Sequence, residues 1–207
     1  MPASQQLSPA VQQKTMLVRS KFGTREQFFE KMNPSIQRVA ARHPERCHFG
    51  DAPTLTILSQ TYGESTASNW LMAQLTDLVA YTNSKGILTD EHIIALADTI
   101  AQEYYYLKTS EIMLFFYRFK LGRYGHFYGN IDPMKITIAL DKFLGERAEA
   151  IRQREQEQQQ REREESMKGA ISASEFCRRN GLPDMDMATL IQKHANGEIQ
   201  LNNLVNK

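Results

Sequence analysis

Apolar residues recur at helical spacing in segment after segment of this chain, and alternation competes only at Thr54–Leu58, where the helical reading is preferred. The clearest pattern is a pair. Ser65 or Thr66 opens a helix with Leu71, Leu75, Leu78, Val79 and Thr82 on one face and Trp70 at its edge, closed by Asn83-Ser84-Lys85-Gly86. Thr89 then caps a helix with Asp90 and Glu91 in its first turn and a stripe of Ile93, Leu96, Ala97, Ile100, Tyr104 and Leu107. So short a connection predicts antiparallel packing.

From Glu111 to Leu121 only Glu111, Arg118 and Lys120 are polar. A helix apolar on all sides is enclosed by its neighbours, so this segment is the expected hub, with Gly122 supplying its left-handed stop. Asp132-Pro133 marks the next helix start, with Ile136, Ala139, Leu140, Phe143, Leu144 and Ile151 as its apolar positions. Beyond Ile151 the run RQREQEQQQREREES has no apolar residue, but Glu157–Arg161 and Arg161–Glu165 can sustain a helix without a core. Unbroken to Lys168 it would measure roughly 50 Å. Gly145 is the position for a kink, and no heptad seam supports a coiled coil.

Upstream, residues 1–20 show no periodicity and read as a flexible arm. Thr24 and Gln27 have capping-box spacing ahead of Phe28, Phe29 and Met32, and Asn33-Pro34 interrupts before Ile36, Val39 and Ala40. His43-Pro44 ends that piece. Asp51-Ala52-Pro53 introduces Leu55, Leu58 and Tyr62, with Gly63 as the stop. After Gly169, Ser172–Glu175 and Asp186 open two short helices ended by Asn180-Gly181 and Asn196-Gly197. The predicted fold is therefore all-α: a compact helical bundle around the apolar helix at 111–121, then a long polar helix and a small C-terminal helix pair. The predicted divisions are an arm (1–20), a helical core domain (21–151), a charged helical extension (152–168) and the helix pair (169–207).

Composition adds limits. No apolar run approaches a membrane span, the N-terminal stretch does not read as a signal peptide, and Cys47 and Cys177 are too few for a disulfide framework, so a cytoplasmic location is expected. The formal net charge is +1. Its distribution is uneven: residues 1–50 carry eight Lys/Arg against three Glu, and residues 51–103 carry Lys85 alone against seven acids.

Ten of the nineteen aromatics fall between Tyr104 and Tyr128. Aromatics beside cations can stack on nucleic-acid bases, but Phe115, Phe116 and Phe119 lie in the enclosed helix and are expected in the core. Tyr124, His126 and Tyr128, beside Arg123 in a glycine-punctuated loop, are the expected open contacts for a ligand or partner. That loop matches neither a dinucleotide fingerprint nor a P-loop. His43, Cys47 and His48 lack the second pair that zinc needs, and no nucleophile stands beside a readable base, so no metal, cofactor or catalytic residue is expected. The C-terminal pair has the outline of a DNA-reading unit, yet its second helix offers only Lys193 for phosphate contact.

YYYLKTSEIMLFF, GRYGHFYGNID, and then Ile138, Leu140, Phe143 and Arg147 before a charged tail together resemble a family of short, uncharacterised helical proteins. These are carried by anaerobic gut bacteria, their phages and conjugative elements. The likeness spans roughly Leu55 to Arg152 and leaves out the segment after Gly169. It implies a mobile-element setting and an accessory role near DNA replication or transfer, with no catalytic residue to carry over.

The functional expectation is a non-catalytic accessory protein engaging DNA or a DNA-processing protein through Arg38, Arg42, Arg46, Arg123, Tyr124, His126 and Tyr128. The alternative is an adaptor that docks a protein partner through residues 152–207.

Overall fold

The computed structural model describes residues 8–82, 88–125, 131–169 and 172–198. The protein is all-α, and among the described residues the nearest approach to a sheet is one antiparallel bridge between Thr54 and Lys108. Two compact units divide it, Met1–Arg152 and Gln153–Lys207. None of the described helices is long and apolar enough to cross a membrane.

The first unit starts earlier than its pattern predicts. Residues 9–22 are not a flexible arm but a helix, α1 (Pro9–Phe22), with Ser8 at its N-cap and proline in its first turn. Only Val18 and Phe22 are buried, one turn apart, too few to print a visible stripe. Arg19 Nη2 ties the helix to Thr61 O at 2.7 Å.

Helix α2 (Arg25–Lys31) begins with the expected Thr24/Gln27 capping box. A 3-10 turn at Pro34–Ile36 runs into α3 (Gln37–Ala40), and α4 (Pro44–Phe49) follows. Next, α5 (Leu55–Tyr62) takes its cap from Thr54. The helical reading of that stretch holds, with Leu55 N and Thr56 N bonded to Leu107 O and Tyr105 O just outside its first turn. Helices α6 (Thr66–Thr82) and α7 (Asp90–Glu103) pack together, the latter capped by Thr89 as expected.

Helix α8 (Thr109–Lys120) is the hub. Every residue from Glu111 to Phe116 is buried, nearly two turns with no solvent face. Phe115 is its centre: its ring meets those of Phe116, Phe119, Tyr124 and Phe143 at centroid distances of 5.1, 5.8, 5.7 and 5.7 Å. The helix ends on a Schellman pattern, Arg123 N bonding Arg118 O and Gly122 N bonding Phe119 O, with Gly122 at φ 71°. A side chain is strained in that left-handed well. Gly122→Ala is therefore expected to lower stability by about 1–2 kcal/mol in urea unfolding, whereas Gly145→Ala, with open space around its Cβ position, is expected to raise it by up to about 1 kcal/mol.

Helix α9 (Pro133–Gly169) starts under an Asp132 cap, Oδ1 accepting from Lys135 N at 2.9 Å, and continues through Gly145. Up to Arg152 it belongs to the first unit, where Ile136, Ala139, Leu140 and Phe143 are buried. In the second unit its remaining length is solvated and braced by pairs such as Glu157–Arg161 at 3.9 Å. There, α10 (Ala173–Arg179) and α11 (Met187–Ala195) are capped by Ser172 and Asp186 and close over Phe176, Cys177 and Leu190.

Candidate functional site

Two polar assemblies hold the first unit around α8, and a cleft opens beside one of them. The first assembly centres on Glu111, fully buried on the hub helix. Its Oε1 accepts from Arg147 Nε at 2.7 Å and from His48 Nδ1 at 3.0 Å, and its Oε2 accepts from the Lys108 amide at 2.9 Å. A carboxylate only accepts, so His48 carries its hydrogen on Nδ1. The His48 ring stacks on Phe143 at 5.9 Å, and the Arg147 guanidinium lies over Tyr106 at 5.7 Å. Burial pushes the Glu111 carboxyl up, but the His48 hydrogen bond, the Lys108 amide and Arg147 together outweigh it and hold the group below the ordinary carboxylate range.

The second assembly centres on Glu146, the residue before Arg147. Arg118 Nη1 reaches its Oε2 at 2.6 Å, Arg123 Nε lies 3.8 Å from its Oε1, and the Tyr124 hydroxyl donates at 3.4 Å. This corrects the expectation for the loop. Tyr124 is not open but buried, stacked on Phe115, and its hydroxyl is pushed up to about 12 by burial and by the Glu146 charge. Arg123 stays exposed but faces a carboxylate of its own chain. His126 and Tyr128 lie outside the described residues.

Both assemblies pair groups of α9 with groups of α8 and the turn after it, and so anchor α9 to the hub helix. Lys108 extends the first one outward. Its Nζ donates to His48 O at 2.7 Å and Gly50 O at 2.8 Å, while Ser110 Oγ donates to Cys47 O at 2.8 Å. The segment from Cys47 to Gly50 is thereby pinned to the first turn of the hub helix.

That pinned segment walls a cleft of two adjoining hollows, about 570 Å³ and 420 Å³, which share Lys21, Phe22, Gly50, Asp51 and Ala52. Leu17, Val18, Pro53 and Ile57 line the first, and Met32, Ile36, Val39 and Met113 line the second. Their charged lining is Lys14, Lys21, Lys108, His43 and Arg46 against Asp51 alone. Lys21 and Asp51 meet at 3.5 Å across a solvated gap, a weak pair that a competing anion can open. Lys14 and Arg46 have no acid partner among the described residues. Apolar floor and cationic rim are the physical content of this site.

Of the predicted contacts, Arg38, Arg42 and Arg46 are exposed on the α3–α4 stretch, and only Arg46 lines the cleft. Sequence reasoning missed Lys14 and Leu17 as site residues because it took residues 1–20 as an arm, and it counted Lys21 only in the charge balance of residues 1–50. The residues weighed for zinc are engaged elsewhere: His43 Nδ1 lies 3.6 Å from Glu45, Cys47 Sγ donates to Ala40 O at 3.2 Å, and His48 bonds Glu111. Among the described residues no group of three His, Cys, Asp or Glu could hold a metal ion.

Cys47 is a poor nucleophile. Burial, and then the Glu111 charge, push its thiol up to about 11. At pH 8 about a thousandth of it is thiolate. Iodoacetamide is expected to leave Cys47 unmodified in the folded protein and to alkylate it once urea unfolds the chain, as read by peptide mass spectrometry.

Residues 92–183 match a protein family described as a family of unknown function, DUF6633. The match runs from the first turn of α7 through α8 and α9 to just beyond α10, so it includes Glu111 with its α9 partner Arg147, and Glu146 with Arg118, Arg123 and Tyr124. It therefore reaches past Gly169, into a segment that the resemblance noted from sequence leaves out. The α1–α4 side of the cleft lies outside it. No curated protein and no solved structure matches the chain.

Proposed function

We propose that this chain is a non-catalytic binding protein that seats an acidic protein partner in the cleft between α1, α3, α4 and residues 50–54. The observation that carries this reading is the pairing of an apolar floor with a rim of Lys14, Lys21 and Arg46 that leaves Asp51 as the lone carboxylate of the lining. An apolar floor favours a protein segment over duplex DNA, whose accessible surface is dominated by phosphate. The closed Glu111 and Glu146 assemblies give the cleft rigid walls and offer no free acid or base to a substrate. The sequence resemblance supports a mobile-element setting, in which the partner is a component of that element's DNA replication or transfer machinery.

A photo-crosslinking amino acid placed at Leu17 or Val39, both exposed at the cleft, tests this in the cell that encodes the chain. The expected adducts are to a protein segment rich in Asp and Glu. Adducts to nucleic acid, or to neutral and basic segments, overturn it.

A second reading rests on Arg38, Arg42 and Arg46, which are exposed without acid partners among the described residues. These could hold DNA phosphates, and binding would then strengthen as salt is lowered. Absence of an anisotropy change with duplex DNA at low salt removes it. Residues 152–207 are the other candidate docking element, since α11 exposes Met187 and Ile191 one turn apart.

A further inference from the structure

Gly50, Asp51 and Ala52 line both hollows, and they belong to a stretch, residues 50–54, that joins α4 to α5. The ends of this stretch have extended backbone, Gly50 at φ −77° and ψ −176° and Thr54 at φ −70° and ψ 162°. Between them, Pro53 has its φ fixed by its ring, and it pushes the residue before it, Ala52, out of the helical region. Local sequence therefore holds the stretch in a strand-like form.

One edge of it is taken. Thr109 N donates to Pro53 O and Leu55 N donates to Leu107 O, the two bonds of the bridge that pairs Thr54 with Lys108. Successive residues of a strand turn their N–H and C=O to opposite edges. Pro53 and Leu55 face residues 107–109, so Ala52 and Thr54 face the other way. On that side the Ala52 N–H, the Ala52 C=O and the Thr54 N–H have no hydrogen-bond partner among the described residues, while Thr54 O accepts from Leu58 N in α5. Pro53 lacks its N–H on the occupied edge, where it withholds nothing from a new strand.

This open edge and the charge of the cleft point to one class of occupant. A segment bound in extended form gains affinity by completing the backbone bonds of a strand edge, and its side chains then alternate between two faces. Alternating apolar and acidic residues match an apolar floor beneath a rim of Lys14, Lys21 and Arg46. A helical occupant spends its own amides and carbonyls internally and leaves the Ala52 edge unpaired.

We infer that the occupant is an acidic segment of a partner protein bound in extended form, adding a strand to the open edge at Ala52 and Thr54. This rests on the acidic-partner reading above and adds the backbone conformation and the residues that pair with it.

Synthetic peptides test it on the full-length protein by fluorescence anisotropy. Two share one composition of Val and Glu: the first alternates them, and the second spaces Val at i, i+4 and i+7. A third alternates Val with Lys. The alternating acidic peptide is expected to bind about tenfold or more tightly than either of the others. Ala52→Pro removes the N–H and sets a ring on that edge, and is expected to weaken binding by about tenfold or more. Lactic acid in place of Ala52 exchanges only that N–H for an ester oxygen, and is expected to weaken binding by about threefold or more. Circular dichroism and the urea midpoint of each variant check that the fold is kept.

Equal or tighter binding of the peptide with helical spacing overturns the added strand while leaving the acidic-partner reading intact. Unchanged binding with lactic acid at position 52 does the same. Equal or tighter binding of the Lys peptide overturns both readings, as does failure of both acidic peptides to bind.

Discussion

Glu111→Gln is expected to remove about 3–5 kcal/mol of stability in urea unfolding, because it leaves the Arg147 guanidinium and the His48 ring facing a neutral amide in a fully buried position. Three donors converge on this carboxylate, from residues 36 and 63 positions away in sequence and from the adjacent turn. Its loss therefore unties α4 and α9 from α8 together. Most of the effect is the uncompensated charge left behind rather than the worth of the pair. Glu111→Leu combined with Arg147→Met is accordingly expected to be less destabilising than the two single changes added.

The same carboxylate gives the stability a direction with pH. In the fold its pKa is lowered, so in acid the unfolded chain binds the proton more readily than the folded one. Its contribution is fully present above the ordinary carboxylate pKa of about 4.3 and is lost as pH falls through the folded value. The stability gap between the unaltered chain and Glu111→Gln is expected to close over that acid range and to stay flat from pH 6 upward.

Phe115→Ala is the second large effect, an expected loss of about 3–5 kcal/mol from lost burial plus the cavity left among four other rings. Tyr124 stacks on Phe115, so the damage reaches the turn after the hub helix, and faster proteolysis near Arg123 is expected alongside the lower urea midpoint. Tyr105→Ala removes an equally large ring from an exposed position and is expected to change stability by no more than about 0.5 kcal/mol. The contrast separates the buried part of the aromatic run from its solvated part.

Much of the fold was legible because its signals are local. The Thr24/Gln27 box, the Thr89 and Asp132 caps and the Gly122 stop each act within four residues, and all form as the spacing predicts. The enclosed character of α8 was equally plain from the unbroken apolar run at residues 112–117, and residues 111–116 are buried. Helix α1 was hidden because two buried residues in fourteen leave no stripe. Tyr124 looked free because a loop tyrosine beside an arginine gives no hint of a phenylalanine nine residues earlier turned to receive it. Glu111 read as a polar exception in an apolar helix. Its partners His48 and Arg147 meet it only through tertiary packing, as do the separate segments that line the cleft.

Those segments carry the central claim, that the cationic rim of the cleft, and not the exposed arginines beside it, holds the partner. The direct measurement is the yield of the photo-adduct formed from Val39 in cells, compared between Lys14→Glu with Lys21→Glu and Arg38→Glu with Arg42→Glu. The cleft account predicts that the adduct is lost with the first pair and persists with the second. Persistence with the first pair and loss with the second would contradict it.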